Sequence, residues 1–357
     1  MWQIGYDVTQ LVSRHRGTLP VVLTCPHDGA ESPPKVPERA GQGLPASCDF
    51  SIIRDLHTRA ITAGVAQRLL NSCGEAPYVV IADFRRKYID ANREDANTLP
   101  NCAYEVPAAK QFYDEYHQTL REFVDEIRAE SGGLGLLLDI HGTAGIENDP
   151  ADVYLGTADG ETGTRLLNVD KHAMSRRRSL PVFLEAAGYV VALDTPELKG
   201  GYTVRTFGSS HDNGLDAIQI EIASTLRDDP DKRAALVDHL AFAIRNLVDR
   251  YASSATLASF QRADLRDGGV VQNAIAHLQQ RAATNDSRLR LGGRVDSRGR
   301  LEIRHDPKSP RRAGVLILCD ESGKDYYLWV GEQGALRIAA SDPGSNSGAG
   351  DVVGAQA

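Results

Sequence analysis

The chain has 357 residues, 41% of them apolar and 25% charged, a balance that excludes a wholly disordered chain, a fibre and a coiled coil. No apolar run approaches the ~18 residues that span a bilayer. The opening Met1-Trp2-Gln3-Ile4-Gly5-Tyr6 lacks the basic and apolar regions of a secretory leader, so a cytoplasmic protein without a membrane partner is expected. Asp and Glu total 48 against 40 for Lys and Arg, a net charge of −8. Nucleic-acid binders normally show a basic excess, so no nucleic-acid partner is expected. Five cysteines stand at wide, irregular spacings with no Cys-x-x-Cys. Neither a cysteine-ligated zinc site nor a disulfide framework is indicated, and reduced thiols are expected.

Taken in chain order, Val21 to Cys25 is a β-branched run that ends in the turn Pro26-His27-Asp28-Gly29, which reads as a buried strand and its loop. Glu31 to Ala46 is proline-rich and reads as irregular. Apolar residues Ile53, Leu56, Ile61, Val65 and Leu69 fall near helical spacing and predict a helix from about Phe50 to Ser72. Tyr78 to Ala82 is a second strand. A long helix is predicted over about Pro107 to Glu130, with Pro107 in its first turn. Leu134 to Ile140 is a nearly all-apolar strand ending in Asp139-Ile140-His141-Gly142. There follow strand Val153–Leu155, a helix over 179–187, strand Tyr189–Leu193, the Gly-rich loop Lys199-Gly200-Gly201-Tyr202, strand Ala217–Ile222 and a helix over 231–251. Strands alternating with helices, several strands apolar throughout, indicate an α/β domain with a mostly parallel sheet. Its expected extent is 1–252. Residues 253–340 change character: a helix around Val270–Arg281, then short strands near Leu301–Ile303, Gly314–Leu318, Tyr326–Val330 and Leu336–Ala339, a small helix plus β-rich appendage. From Ser341 the chain turns Gly-, Ser-, Asp- and Ala-rich, and 341–357 reads as a disordered tail.

Ligands of open α/β sheets bind beyond the carboxyl ends of the strands. His27 and His141 each follow a strand, Asn92 and Arg93 lie in the loop after strand 78–82, and Glu221 stands inside the apolar run Ala-Ile-Gln-Ile-Glu-Ile. A catalytic zinc takes three protein ligands and leaves a position for water. Two strand-end histidines and one carboxylate would meet that need.

Cys25-Pro26-His27-Asp28-Gly29, Tyr88-Ile89-Asp90-Ala91-Asn92-Arg93, Leu138-Asp139-Ile140-His141-Gly142, Lys199-Gly200-Gly201-Tyr202-Thr203-Val204-Arg205 and Ile218-Gln219-Ile220-Glu221-Ile222 occur in that order. Together they resemble the N-formylglutamate amidohydrolase family over roughly residues 15–250. The resemblance implies a zinc carboxypeptidase-like fold, with the mostly parallel sheet a central mixed one flanked by helices, and one zinc ion as cofactor. The family usually has Ser or Ala where Asp28 stands. His27 and His141 become zinc ligands by this resemblance. The third ligand is Asp55, where the family places an acid at the start of a helix, with Glu31 as the alternative from the loop of the first histidine. His57 reads as a helix-surface residue.

Asp139, two residues before His141, shares its side of a regular strand and can hold the imidazole N–H of a ligand. Glu221 is the expected general base, since an ionisable group in an apolar strand is costly unless paired or functional. Arg93 would grip a substrate carboxylate with its planar fork. Asn92 adds a donor, Arg205 is a second candidate cation, and Tyr202, on its Gly-rich loop, either covers the substrate as the carboxypeptidase-like arrangement implies or is a plain packed tyrosine. Arg85, Arg86 and Lys87 read as an ordinary solvated patch, with added positive potential near the cleft mouth as the alternative. The expected activity is zinc-dependent hydrolysis of the amide of a small-molecule N-acyl amino acid, with N-formyl-L-glutamate as the substrate the family implies. The alternatives are a metallocarboxypeptidase or amidase on cell-wall peptides or polyglutamate, and a non-catalytic binding protein on the same fold.

Overall fold

The structure is a computed structural model. It describes residues 3–261 apart from 97, 132–133, 170–173 and 175–178, and beyond 261 six short strands. The chain divides into two units, Met1–Arg250 and Tyr251–Ala357.

In chain order the first unit holds β1 (Asp7–Thr9), β2 (Val12–His15), β3 (Leu19–Cys25), α1 (Thr58–Cys73), β4 (Pro77–Ala82), α2 (Lys110–Ser131), β5 (Leu136–Thr143), β6 (Val153–Gly156), α3 (Thr164–Val169), α4 (Leu180–Ala186), β7 (Val191–Leu193), α5 (Tyr202–Phe207), β8 (Asp216–Ala223), α6 (Ser224–Arg227) and α7, which begins at Pro230 and runs to Gln261. Eight strands make one sheet in the order β1-β2-β4-β3-β5-β8-β6-β7. The sheet is mixed: β4, β3, β5 and β8 run parallel, β2 pairs antiparallel with β4, and β6 pairs antiparallel with β8.

The buried strands follow from composition. Every residue of β4 and β8 is buried, as expected for strands covered on both faces. α2 lays Phe112, Tyr116, Leu120, Phe123 and Ile127 at helical spacing on the face presenting Val22, Tyr78, Val80 and Leu137. α1, whose Ile61, Val65 and Leu69 take no part in that cluster, contacts the same β3 and β4 from the opposite face. Gly29 ends the turn after β3 because a Cβ there would lie 2.5 Å from the Asp83 carbonyl oxygen. Only a bare backbone fits between the loops that follow β3 and β4.

Three departures from the sequence reading bear on the site. The helix expected from Phe50 begins at Thr58. Phe50, Ile52, Ile53 and Leu56 are exposed at 39%, 45%, 74% and 46%, so their helical spacing does not reflect a buried face. The amide of Asp55 instead donates to the His27 carbonyl at 3.2 Å, pinning this segment to the loop after β3. β5 extends past Ile140 to Thr143, which places His141 within a strand instead of the loop after it. Finally, Cys48 and Cys102 form a disulfide with their Cα atoms 5.5 Å apart, contrary to the expectation of reduced thiols throughout. Fifty-four residues separate them, but they sit in the loops that follow β3 and β4, and parallel neighbours deliver those loops to the same sheet edge. The hairpin β1–β2 had no counterpart in the sequence reading.

The second unit holds β9 (Gly293–Val295), β10 (Leu301–Ile303), β11 (Leu316–Cys319), β12 (Asp325–Val330), β13 (Leu336–Ala339) and β14 (Asp351–Gly354). β9 and β10 pair antiparallel, and β11 to β14 form an antiparallel meander. The helix expected at 270–281 lies outside the described residues. Within 341–357, where a disordered tail is expected, Asp351–Gly354 is a strand. Among the described residues no helix is long and apolar enough to cross a membrane.

Candidate metal centre

Parallel pairing builds the centre. β5 and β8 run in register with His141 opposite Glu221 and Asp139 opposite Gln219. Residues two apart on a strand share a face, so four polar side chains stand together on one side of two apolar strands. His27 arrives from the loop after β3, and its ring centroid is 4.8 Å from that of His141. Asp55 arrives from the irregular segment before α1. One Asp55 oxygen, Oδ2, lies 3.3 Å from His27 Nδ1, 3.3 Å from His141 Nδ1 and 3.1 Å from the Gly142 amide.

The other ring nitrogens are occupied. His27 Nε2 lies 2.7 Å from Asp90 Oδ1, and His141 Nε2 lies 2.9 Å from Asp139 Oδ2. A carboxylate beside Nε2 selects the tautomer with its proton on that atom. Each Nδ1 then presents a lone pair toward the Asp55 carboxylate. Three acceptors facing one another repel unless a proton or a metal ion lies between them. The three ligand atoms fall within 4.8 Å of one another and all three residues are buried. His27, Asp55 and His141 could therefore hold a metal ion, with Asp90 and Asp139 orienting the imidazoles behind them.

Electrostatics agree with the geometry. Burial alone would raise the Asp55 carboxyl, but the adjoining histidines outweigh it and hold it well below the usual carboxylate range. Asp90, fully buried, is likewise held down against burial by His27 and Arg86, with Arg86 Nε 2.9 Å from its Oδ2. Burial would lower His141, yet Asp139 and Asp55 raise it well above an ordinary histidine. This pocket of acids favours positive charge. Glu221 differs. Burial pushes its carboxyl up, with Asp55 adding to the rise and His141 opposing it. Its Oε1 is 4.0 Å from His141 Nδ1 and accepts from Gln219 Nε2 at 2.9 Å. A carboxyl of raised pKa beside a candidate ligand nitrogen is suited to taking up and releasing a proton.

The sequence model of N-formylglutamate amidohydrolase matches residues 19–226, more than half of the chain and every segment that contributes to this centre. The chain belongs to the N-formylglutamate amidohydrolase family. It is an amidohydrolase acting on a non-peptide amide. No curated protein matches the chain. Among solved structures, N-formylglutamate amidohydrolase from Ralstonia eutropha JMP134 is 18% identical, over 68% of this chain and 99% of that one, with a TM-score of 0.48. A gene product of Agrobacterium tumefaciens is 19% identical over 69% of this chain and 95% of that one, TM-score 0.47. A bacteriophage poly-gamma-glutamate hydrolase is 12% identical over 72% and 93%, TM-score 0.34.

Other residues of the family-like motifs are not all gathered at the centre. Asn92 is: its Nδ2 is 3.3 Å from His141 Nε2, and its Oδ1 accepts from the Thr203 amide at 2.8 Å, tying α5 to the centre. Arg93 does not present a free fork. Its Nε donates to the Cys48 carbonyl at 3.1 Å, Nη1 to the Asn92 carbonyl at 2.9 Å, and Nη2 to the Asp49 carbonyl at 2.9 Å and carboxylate at 2.7 Å. Tyr202 is not on a loop but is the first residue of α5, and its ring packs inward, 5.6 Å from that of His117. Arg205 is exposed and its Nε donates to the Gly200 carbonyl at 3.1 Å. Glu31 is exposed; its backbone pairs with Asp83 and Arg85. His57 is 42% exposed and 3.9 Å from Asp228. The Asp28 that replaces the family's small residue accepts from the Arg59 amide at 2.9 Å and faces Arg54 Nε at 2.8 Å. It fastens the loop of His27 to the segment of Asp55. Asp90 and Arg86 lie beside the ligands, though the sequence reading gave Asp90 no role. The available signal was an acid two residues before Asn92 in the same motif.

Proposed function

We propose that this chain is a zinc-dependent hydrolase of N-acyl amino acids, with N-formyl-L-glutamate cleaved to glutamate and formate. The observation behind the reading is the convergence of two imidazole Nδ1 atoms and one carboxylate on a single point, with Glu221 beside it. Two histidines and one acid, each histidine backed by a carboxylate, are the donor set of a hydrolytic zinc site with an open position. Zinc bound by His27, Asp55 and His141 would supply Lewis acidity toward the amide carbonyl and the attacking water.

The chain's own residues do the rest. Glu221 accepts a proton from the attacking water and delivers it to the leaving nitrogen, and its raised pKa serves both halves of that transfer. Gln219 holds Glu221 in place through the 2.9 Å bond to Oε1. Arg93 receives the substrate carboxylate in exchange for Asp49. The Asp49 side chain is 91% exposed while its Oδ2 sits 2.7 Å from Arg93 Nη2, so a substrate carboxylate can displace it at little cost in buried surface. Asn92, its Nδ2 3.3 Å from His141 Nε2, adds a donor beside Arg93.

The test is hydrolysis of N-formyl-L-glutamate by chelator-stripped protein with and without added zinc. Formate release that needs zinc, together with near-stoichiometric bound metal, is the expected result. A stripped protein with full activity, or a zinc-loaded one inert on every N-acyl amino acid tried, overturns the reading. Release of terminal amino acids from peptides or polyglutamate, without cleavage of N-acyl amino acids, would point to the carboxypeptidase alternative.

A further inference from the structure

Arg227, the last residue of α6, is 6% exposed. Its guanidinium donates to three backbone carbonyls: Nε to Ile222 at 2.8 Å, Nη2 to Thr143 at 3.1 Å, and Nη1 to Leu56. Among the described residues no carboxylate lies within ion-pair distance of it. The three carbonyls belong to three separate segments. Ile222 follows Glu221 in β8, Thr143 is two residues after His141 at the end of β5, and Leu56 follows Asp55 in the irregular segment before α1.

We propose that Arg227 is a positioning residue that sets the spacing of Asp55, His141 and Glu221, and through it the metal affinity of the centre. This rests on the metal reading above. Carbonyls at strand ends and in irregular segments lack a ladder partner and must find one when buried. A guanidinium is a rigid planar fork whose donors diverge at fixed angles. One such group bonded to all three carbonyls fixes their mutual distances, and each functional side chain is at most two residues from its carbonyl.

A buried cation without a carboxylate partner is costly in a core that needs only bracing. Here it joins the three segments that carry Asp55, His141 and Glu221. Gly142 fits the same design. A Cβ there would run into the Arg227 guanidinium, 2.8 Å from Nη2, while its amide donates to Asp55 Oδ2 at 3.1 Å. The backbone between His141 and Thr143 is thus wedged between a ligand carboxylate and the fork that positions it.

The experiment measures zinc dissociation constants by competition with a chromophoric chelator, on full-length protein shown to be folded by circular dichroism. Arg227→Lys keeps the charge, but a single ammonium cannot span three diverging carbonyls. Zinc should bind about 10–100-fold more weakly, the range seen when outer-shell partners are lost. Gly142→Ala pushes the intact fork aside and should weaken zinc as well. In the Arg227→Lys background the same change should add little, because the flexible lysine gives way, so the two losses combine less than additively. Arg227→Lys or Gly142→Ala with wild-type zinc affinity, or strictly additive losses, overturns the proposal. If Arg227→Lys fails to fold, Gly142→Ala decides alone. A merely structural brace would lower the melting temperature of both variants and leave the zinc constant of the folded molecules unchanged. Wild-type protein that binds no zinc removes the metal reading and this proposal with it, whereas wild-type binding with unaltered variants removes only the role of Arg227.

Discussion

Replacing Asp90 by Asn tests whether the carboxylates behind the imidazoles are functional. Asp90 is wholly buried and accepts three bonds: from His27 Nε2 at 2.7 Å, from Arg86 Nε at 2.9 Å, and from the Asn92 amide at 3.0 Å. Asn has the same shape. Its oxygen can still face His27 and the Asn92 amide, but its NH₂ then faces the Arg86 donor, and the charge that strengthens His27 as a ligand is gone. Losing one charge-assisted bond costs about 1.5–3 kcal/mol of stability. Losing the carboxylate behind a ligand histidine costs about 10–100-fold in metal affinity, which is about 1.4–2.8 kcal/mol of binding. Asp90→Asn should therefore melt earlier and, when folded, bind zinc 10–100-fold more weakly by chelator competition. Asp139→Asn, which acts on His141 in the same way, should match it. A folded Asp90→Asn protein with the wild-type zinc constant would refute the argument, whatever happens to its melting temperature.

Four further outcomes are expected. Glu221→Gln keeps the Gln219 contact but cannot take a proton, so turnover per zinc-loaded molecule should fall by ~10²–10⁴ with zinc content unchanged; equal turnover removes Glu221 as the base. Arg93→Lys should impair hydrolysis of a free acid far more than of its methyl ester, and Asp49→Ala should lower KM for the acid alone; equal effects on both substrates remove the carboxylate grip. Non-reducing peptide mapping should show Cys48 linked to Cys102, with Cys25, buried and pushed up to about 12, unlabelled by a thiol reagent at neutral pH until the protein unfolds. His117 gives a pH test of stability. Burial holds it down to about 3, and its Nε2 is shielded and without a partner. The unfolded chain therefore takes up a proton as pH falls through about 6.5 while the fold resists until about 3, and stability is lost across that interval. Against wild type, His117→Phe should show a shallower decline between pH 7 and 4.5 in urea unfolding, by about 2–3 kcal/mol; parallel declines would show that His117 protonates freely in the fold.

Much of the α/β unit was legible from local pattern alone. The β-branched and apolar runs at β3, β4, β5 and β8 and the helical stripe of α2 state their own burial, because side-chain period and backbone geometry are linked within a few residues. Glu221 was legible for a related reason: a charge inside an apolar strand needs an explanation that does not depend on knowing its neighbours. The hairpin β1–β2 was not legible, since three- and four-residue strands are too short to show alternation. The centre itself belongs to tertiary structure. Parallel register set His141 opposite Glu221, and nothing local to either residue contains that pairing. Asp55 reaches the histidines because its segment hydrogen-bonds to the loop of His27 in place of the helix its apolar spacing suggested. Arg93 turns onto Cys48 and Asp49, and Cys48 onto Cys102, because loops far apart in sequence leave parallel strands at one edge. Spacing along the chain tells which residue types are available for chemistry. Which nitrogen faces which oxygen depends on hydrogen bonds between segments tens of residues apart, and those exist only once the sheet has assembled.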